Sequence, residues 1–203
     1  RRGDAEAARR LLEDVMAHSA RTGFRGQELA AQLQLGVSLG CAGALAESLH
    51  ALDQCADAAS EHGLRDLATR AVVMRAWVRS LGAAVDVQER TMLALESDAP
   101  PETPSLRCLF YTVRGLLRLR FRSGAEALAD TSAATALWED GVTMEEGATL
   151  LHRAHIDALM RGGADAHEVD ARLTAAWRSA RSDAAPRGAM VRVANDREEE
   201  TGA

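Results

Sequence analysis

The sequence predicts an all-α protein made of stacked antiparallel helix pairs, and three observations predict it. Glycines punctuate the chain at a period near forty: Gly3 and Gly43 are 40 residues apart, and so are Gly23 and Gly63. Gly36 and Gly115 are 79 apart, two such periods, and Glu47-Ser48-Leu49 recurs 79 residues on as Glu126-Ala127-Leu128. Between the glycines run Ala- and Leu-rich stretches with apolar residues at helical spacing. Finally, Ile156 is the only isoleucine, and β-branched residues nowhere alternate with polar ones over the length of a strand. A unit of this size is a helix pair that cannot bury its apolar face alone, so neighbouring units stack.

Taken in order, the first helix is expected over about Asp4 to Thr22, with Ala5, Ala8, Leu12, Val15 and Ser19 along one stripe and Gly23 closing it. The second runs from about Gln27 to Cys41 and carries Leu29, Leu33, Gly36, Val37 and Gly40 inward. A glycine in mid-helix costs roughly 1 kcal/mol against Ala, so Gly36 marks a place where another helix comes too close for a side chain. The third helix spans 44 to 62 (Leu45, Leu49, Leu52, Cys55, Ala56, Ala59) and the fourth 65 to 81, with Gly63 and Gly82 as stops. A weaker helix is expected over 84 to 97.

Residues 98 to 104 contain Pro100, Pro101 and Pro104 and read as a loop between repeats, because the period continues across them. Ser105 is the expected N-cap of a helix reaching Arg122. Further helices are expected over Ala125 to Glu139, Met144 to Arg161 and Ala166 to Arg181. Apolar spacing fades from Ser182, so 182–203 reads as a frayed tail and 1–181 as the repeat domain.

The 203 residues suffice for one domain of roughly four to five helix pairs. Hydrophobic residues make up 47% but aromatic ones only 3%, so Ala and Leu fill the interior. There is no lysine; all 24 basic side chains are Arg. A net charge of −6 opposes direct binding of nucleic acid along the segment. Cys41, Cys55 and Cys108 have no metal-ligand spacing and read as small core residues of a reduced, cytoplasmic protein. Nothing approaches the roughly 18 to 20 apolar residues of a membrane span. The opening Arg1-Arg2-Gly3-Asp4 reads like a piece cut from a longer polypeptide.

Gly36 and Leu39, then Gly43, Glu47-Ser48-Leu49, Leu52 and Cys55, resemble the tetratricopeptide pattern. Gly115, Glu126-Ala127-Leu128, Thr131 and Ala134 repeat it. Leu mostly stands at the aromatic positions of that motif, no proline closes the units, and the period is nearer forty than about thirty-four, so the resemblance is to a long-helix variant. It implies a right-handed superhelical stack, a tetratricopeptide-like α-solenoid, whose first helices line a concave groove.

A narrower resemblance covers residues 105 to 190. The run Leu109-Phe110-Tyr111-Thr112-Val113-Arg114-Gly115-Leu116-Leu117-Arg118-Leu119 and then Gly124-Ala125-Glu126-Ala127-Leu128-Ala129-Asp130 are similar to the repeat region of large ATP-binding regulators of the LuxR type. Leu137-Trp138-Glu139-Asp140-Gly141 and Ala185-Pro186-Arg187-Gly188 fit the same register. That resemblance implies a sensing segment between an ATPase and a DNA-binding module. The sequence given contains no GxxxxGK[ST] loop and no evident helix-turn-helix.

Candidate sites are sparse. His152 and His155 lie three apart near Glu145, Glu146 and Asp157, a spacing that begins a zinc site but supplies no third ligand; partly exposed helix residues are the favoured reading, and no metal is expected. Arg107, Arg114, Arg118, Arg120 and Arg122 form a run without an acid. It reads either as an anion contact or, preferably, as a face whose arginines pair with acids of neighbouring helices. Transfer of the tetratricopeptide register puts Cys41, Ser80, Arg79, Arg120 and His155 near the groove, and Arg79, Arg120 and His155 are the predicted binding residues. Trp77, Trp138 and Trp177 read as packing residues.

No GxSxG elbow or motif-placed carboxylate pair supports catalysis, and no cofactor is expected. The expected function is a non-enzymatic protein- or ligand-binding scaffold, the sensing segment of a bacterial transcriptional regulator. The alternative is a stand-alone adaptor for protein assembly. The expected partner is a protein or peptide. A small-molecule effector and a second copy of the chain are the other two the sequence leaves open.

Overall fold

The structure, a computed structural model, describes residues 2–142 and 148–163 and, beyond them, 165, 167–169, 171, 172 and 174. Eight helices are assigned among the described residues, with no strand. They are α1 (Arg2–Thr22), α2 (Arg25–Cys41), α3 (Leu45–Glu61), α4 (Arg65–Gly82), α5 (Val85–Ser97), α6 (Pro104–Phe121), α7 (Gly124–Glu139) and α8 (Ala148–Gly162). Each packs against the next in sequence wherever a short turn joins them, except that α5 and α6 are joined through the proline loop. The expected final helix, Trp177 and the tail from 182 lie outside the described residues or almost entirely so.

The turns explain the glycine period. Gly43, Gly63 and Gly141 have φ of 85°, 70° and 89°, a left-handed conformation that disfavours any residue with a Cβ. After each, the chain folds back in the same way. The amides of Ala44, Leu64 and Val142 donate to the carbonyls of Leu39, Ala59 and Leu137, while the glycine amides donate to those of Gly40, Ser60 and Trp138. This double bond pattern is the Schellman motif, which satisfies carbonyls orphaned at a helix end. Proline does the corresponding work before α6. Thr103, not Ser105, is its N-cap residue, because Pro104 takes the first helical position, where the missing N–H has no partner to lose. Ser123 and Glu126 form a capping box at α7.

The 79-residue recurrence is also a recurrence of contacts. A Cβ added to Gly36 would lie 2.8 Å from Leu52 and 3.4 Å from the Ser48 carbonyl. One added to Gly115 would lie 2.7 Å from Thr131 and 3.3 Å from the Ala127 carbonyl, the same positions 79 residues later. The Cys55 thiol donates to the Leu29 carbonyl, and the Cys108 thiol to the Ala134 carbonyl. Position 108 corresponds to 29 and 134 to 55, so the same crossing keeps its bond with the donor moved to the other helix. Likewise Gly82 faces Leu45 in the first half, whereas Gly124 faces Arg161 in the second.

The even-numbered helices form a continuous row: α2 touches α4, α4 touches α6 and α6 touches α8. The odd-numbered helices flank this row without packing their backbones on one another, although Arg9 of α1 pairs with Glu47 of α3 at 3.6 Å. Leu29, Leu52, Met74, Met92, Leu109, Val113, Leu117 and Leu151 fill the space between, each at most 1% exposed. Burying each such side chain contributes roughly 2 kcal/mol. This arrangement of neighbouring pairs is consistent with an α-solenoid. α1 packs its backbone on α2 and reaches α3 through Arg9 and Glu47. Among the described residues of its expected stripe Ser19 is buried and Leu12 half-buried, while Ala8 and Val15 are exposed. Of the cysteines, Cys55 and Cys108 are core residues and none of the three forms a disulfide, but Cys41 is exposed. Burial pushes the Cys55 thiol up to about 11. No helix among the described residues is long and apolar enough to cross a membrane.

Candidate functional site

The close-approach position recurs in successive members of the even row as Gly36, Ala76, Gly115 and His155, at intervals of 40, 39 and 40 residues. All four are buried. Five residues further along each helix the same register gives Cys41, Leu81, Arg120 and Met160, all exposed; Leu81 is 49% and Met160 63% accessible. One turn back from these stand Val37, Trp77, Leu116 and Ile156, all half-buried. The even row therefore carries an exposed ladder, largely apolar and interrupted by one guanidinium. Between α6 and α8 it borders a cleft of about 510 Å³, lined by Leu116, Leu119, Arg120, Asp157, Met160 and Arg161.

The three residues predicted to share a groove lie in three places. Arg120 is on the ladder. Arg79 lines a different groove, of about 370 Å³, between α4 and α5. Its register equivalent in α6 is Arg118, and two residues of helix, about 200° of rotation, separate it from the ladder position at Leu81. His155 is 4% exposed and its Nδ1 lies 3.1 Å from the Thr131 hydroxyl, within the α7–α8 packing. Burial, followed by the nearby charges of Arg172 and His152, lowers its pKa to about 4; Glu139 opposes this. Ser80 donates to the Trp77 carbonyl. Met160 and Leu81 were missed. Adding forty residues to Cys41 finds Leu81, and adding forty to Arg120 finds Met160.

The two histidines do not converge on a metal. His152 lies edge-on to Trp138, 6.5 Å between ring centres, while His155 is engaged with Thr131. Among the described residues no three His, Cys, Asp or Glu side chains group as a metal site; Glu145 and Glu146 lie outside them.

The arginine run of α6 is largely consumed by the fold. Arg114 makes a bidentate pair with Asp130, at 2.9 and 2.7 Å, and lies over the Phe110 and Tyr111 rings at 5.0 and 5.3 Å. Arg118 bridges Asp130 and Glu96, both at 3.1 Å, and Arg122 reaches Glu96 at 3.1 Å. Burial opposes ionisation of Glu96, but hydrogen bonds from Arg122 and Arg118 prevail and hold its carboxyl below the usual range. Arg107 donates to the Pro101 and Glu102 carbonyls. Arg120 has no ion pair among the described residues.

The chain matches no protein-family model, no curated protein and no solved structure.

Proposed function

We propose that the chain is a non-enzymatic binding scaffold whose recognition surface is the ladder Cys41–Leu81–Arg120–Met160 on the even-numbered row. The observation that carries this reading is the repetition itself. One exposed position in each of the four even-numbered helices forms a line that the fold leaves uncovered, with half-buried apolar residues behind it. Such a line suits an extended or helical protein segment, with Arg120 supplying a directional contact to a carboxylate or carbonyl. The right-handed superhelical curvature of tetratricopeptide arrays would make this face concave. In the setting of a bacterial regulator, an occupant shifting the packing of α6 against α8 would alter modules joined to the repeats.

The test is photo-crosslinking in the source cells, with the reactive residue at Arg120 and a control at exposed Glu89 on α5. A discrete adduct from position 120 and none from 89 is expected. Equal labelling from both positions overturns the ladder assignment. The same immunoblot reads the size of the parent polypeptide. A band well above 21.7 kDa agrees with the regulator reading, and one at 21.7 kDa replaces it with the adaptor.

A further inference from the structure

The α4–α5 and α6–α7 pairs are in one register: α4 begins at Arg65 and α6 at Pro104, α5 at Val85 and α7 at Gly124, each 39 residues apart. In that register Arg75 and Arg79 correspond to Arg114 and Arg118, and Thr91 corresponds to Asp130. The later pair thus places a carboxylate between its two arginines. The earlier pair has a threonine at the corresponding position, and α5 packs less closely on α4. Thr91 lines the groove left between them, with its hydroxyl turned back to the Val87 carbonyl at 2.7 Å.

The consequence is a groove in which one of three arginines has no ion pair among the described residues. Arg75 is paired with Asp53 of α3, and Arg90 with Asp86 at 2.9 Å, whereas Arg79 has no ion pair among the described residues. Arg75, Arg79 and Arg90 all line the groove, against Asp98 as the one acid. Val72 and Val87 supply apolar wall, and Val72 is 36% exposed. Burial and then the neighbouring Arg75 charge lower the Arg79 pKa, with Asp53 acting the other way. A guanidinium in this position gains from any carboxylate brought to it, and most when apolar contacts exclude water around the pair.

We infer that the α4–α5 groove binds an acidic segment of a partner protein, with one carboxylate taking beside Arg79 the place that Asp130 takes beside Arg118. The internal precedent specifies the chemistry. Asp130 is presented among small apolar neighbours, Ala127 and Ala134, both fully buried. An occupant with an acid flanked by apolar side chains reproduces that arrangement against Val72 and Val87. The site rests on the scaffold reading but not on the ladder, from which Arg79 is turned away.

The test is fluorescence anisotropy at low salt with a labelled peptide alternating Glu and Leu, and its Gln-Leu counterpart. The Glu peptide should bind the full chain and the Gln peptide at least tenfold more weakly. Thr91→Asp supplies the missing carboxylate from within and should weaken the Glu peptide tenfold or more while leaving the fold intact by circular dichroism. Arg79→Gln should do the same, and Arg21→Gln on α1 should not. Equal affinity of Thr91→Asp and wild type, or no discrimination between the peptides, overturns the proposal. So does succinate displacing the peptide at a concentration equal to the peptide's own Kd, which would make this a small-anion site. Crosslinking at Arg120 that fails while this binding succeeds removes the ladder and keeps the groove.

Discussion

In the α6–α7 pair, Arg114 and Arg118 meet Asp130; in the α4–α5 pair, 39 residues earlier, Arg75 and Arg79 stand around an open groove that Thr91 also lines. The helix starts correspond, with buried Met92 where the later pair has buried Thr131, but α5 packs much less closely on α4 than α7 does on α6. What differs is whether the polar crossing is completed inside the chain. In the later pair Arg114 is 12% and Asp130 5% exposed in their side chains, and Glu96 extends the network to α5. In the earlier pair Arg75 and Asp53 are 28% and 43% exposed. The repeat specifies where charges face each other; only the individual residues decide whether the place becomes structural or remains open to a partner.

The sharpest way to break this comparison is Asp130→Ala. It leaves Arg114 and Arg118 partly buried with Glu96 as the remaining acid, and loss of one member of a buried pair costs about 3–5 kcal/mol. A urea melt should show the loss as a lower midpoint. The double change Arg114→Met with Asp130→Leu should recover much of it, since apolar replacement of a buried pair is often neutral. A drop below about 1 kcal/mol for Asp130→Ala would put the network on the same footing as the exposed Arg75–Asp53 pair.

Much of the fold was legible because its cause is local. A left-handed glycine after a helix and a 3.6-residue apolar period act within a few residues, and the positions of Gly23, Gly43 and Gly63 carried them, whereas Pro104, expected in the loop before a Ser105 cap, is itself the first residue of α6. The site was less legible because it depends on rotation. An error of two residues in transferring the register turns a helix face through about 200°, which separates Arg79 from the exposed ladder and from Arg120. His155 shows the same limit. Its position is that of Gly36 and Gly115, where the helix faces a neighbour, so a residue that looks like a surface ligand is enclosed. The ion pairs of α6 were foreseeable as a class, since an acid-free arginine run needs partners, but Asp130 and Glu96 are identified only by packing.

His155 gives the next largest effect, and it belongs to the closed half through Thr131. Its folded pKa of about 4 lies below the ordinary 6.5, so the unfolded chain binds a proton that the folded chain refuses between those values. Stability from this residue is complete above pH 6.5 and is lost as the pH falls towards 4, about 3 kcal/mol in all. The chain should therefore melt at lower temperature at pH 4.5 than at pH 7, and His155→Gln should remove part of that difference. An unchanged pH profile in the variant would mean that other groups carry the acid sensitivity.

Gly115→Ala probes the packing that the halves share. The new Cβ would meet Thr131 Cγ2 at 2.7 Å, and a branched side chain beside the Ala127 carbonyl has little room to yield. Overpacking of this kind costs about 1–3 kcal/mol, offset by about 1 kcal/mol of helix propensity. A net loss of about 1–2 kcal/mol is expected. Gly82→Ala meets only the flexible end of Leu45 and should be near neutral, which sets the scale for a close approach that can relax.

Asp53→Ala should have the smallest effect, and it completes the comparison. The pair it breaks is partly exposed, and such pairs contribute at most about 1 kcal/mol, so the melting midpoint should barely move. Its effect should appear in recognition. Removing Asp53 frees Arg75 beside Arg79 and adds an uncompensated positive charge to the α4–α5 groove, so the Glu-Leu peptide should bind several-fold tighter at low salt and no tighter in high salt. A variant that loses stability on the scale of Asp130→Ala, with peptide affinity unchanged, would make the earlier arginine pair as structural as the later one and close the groove as a site.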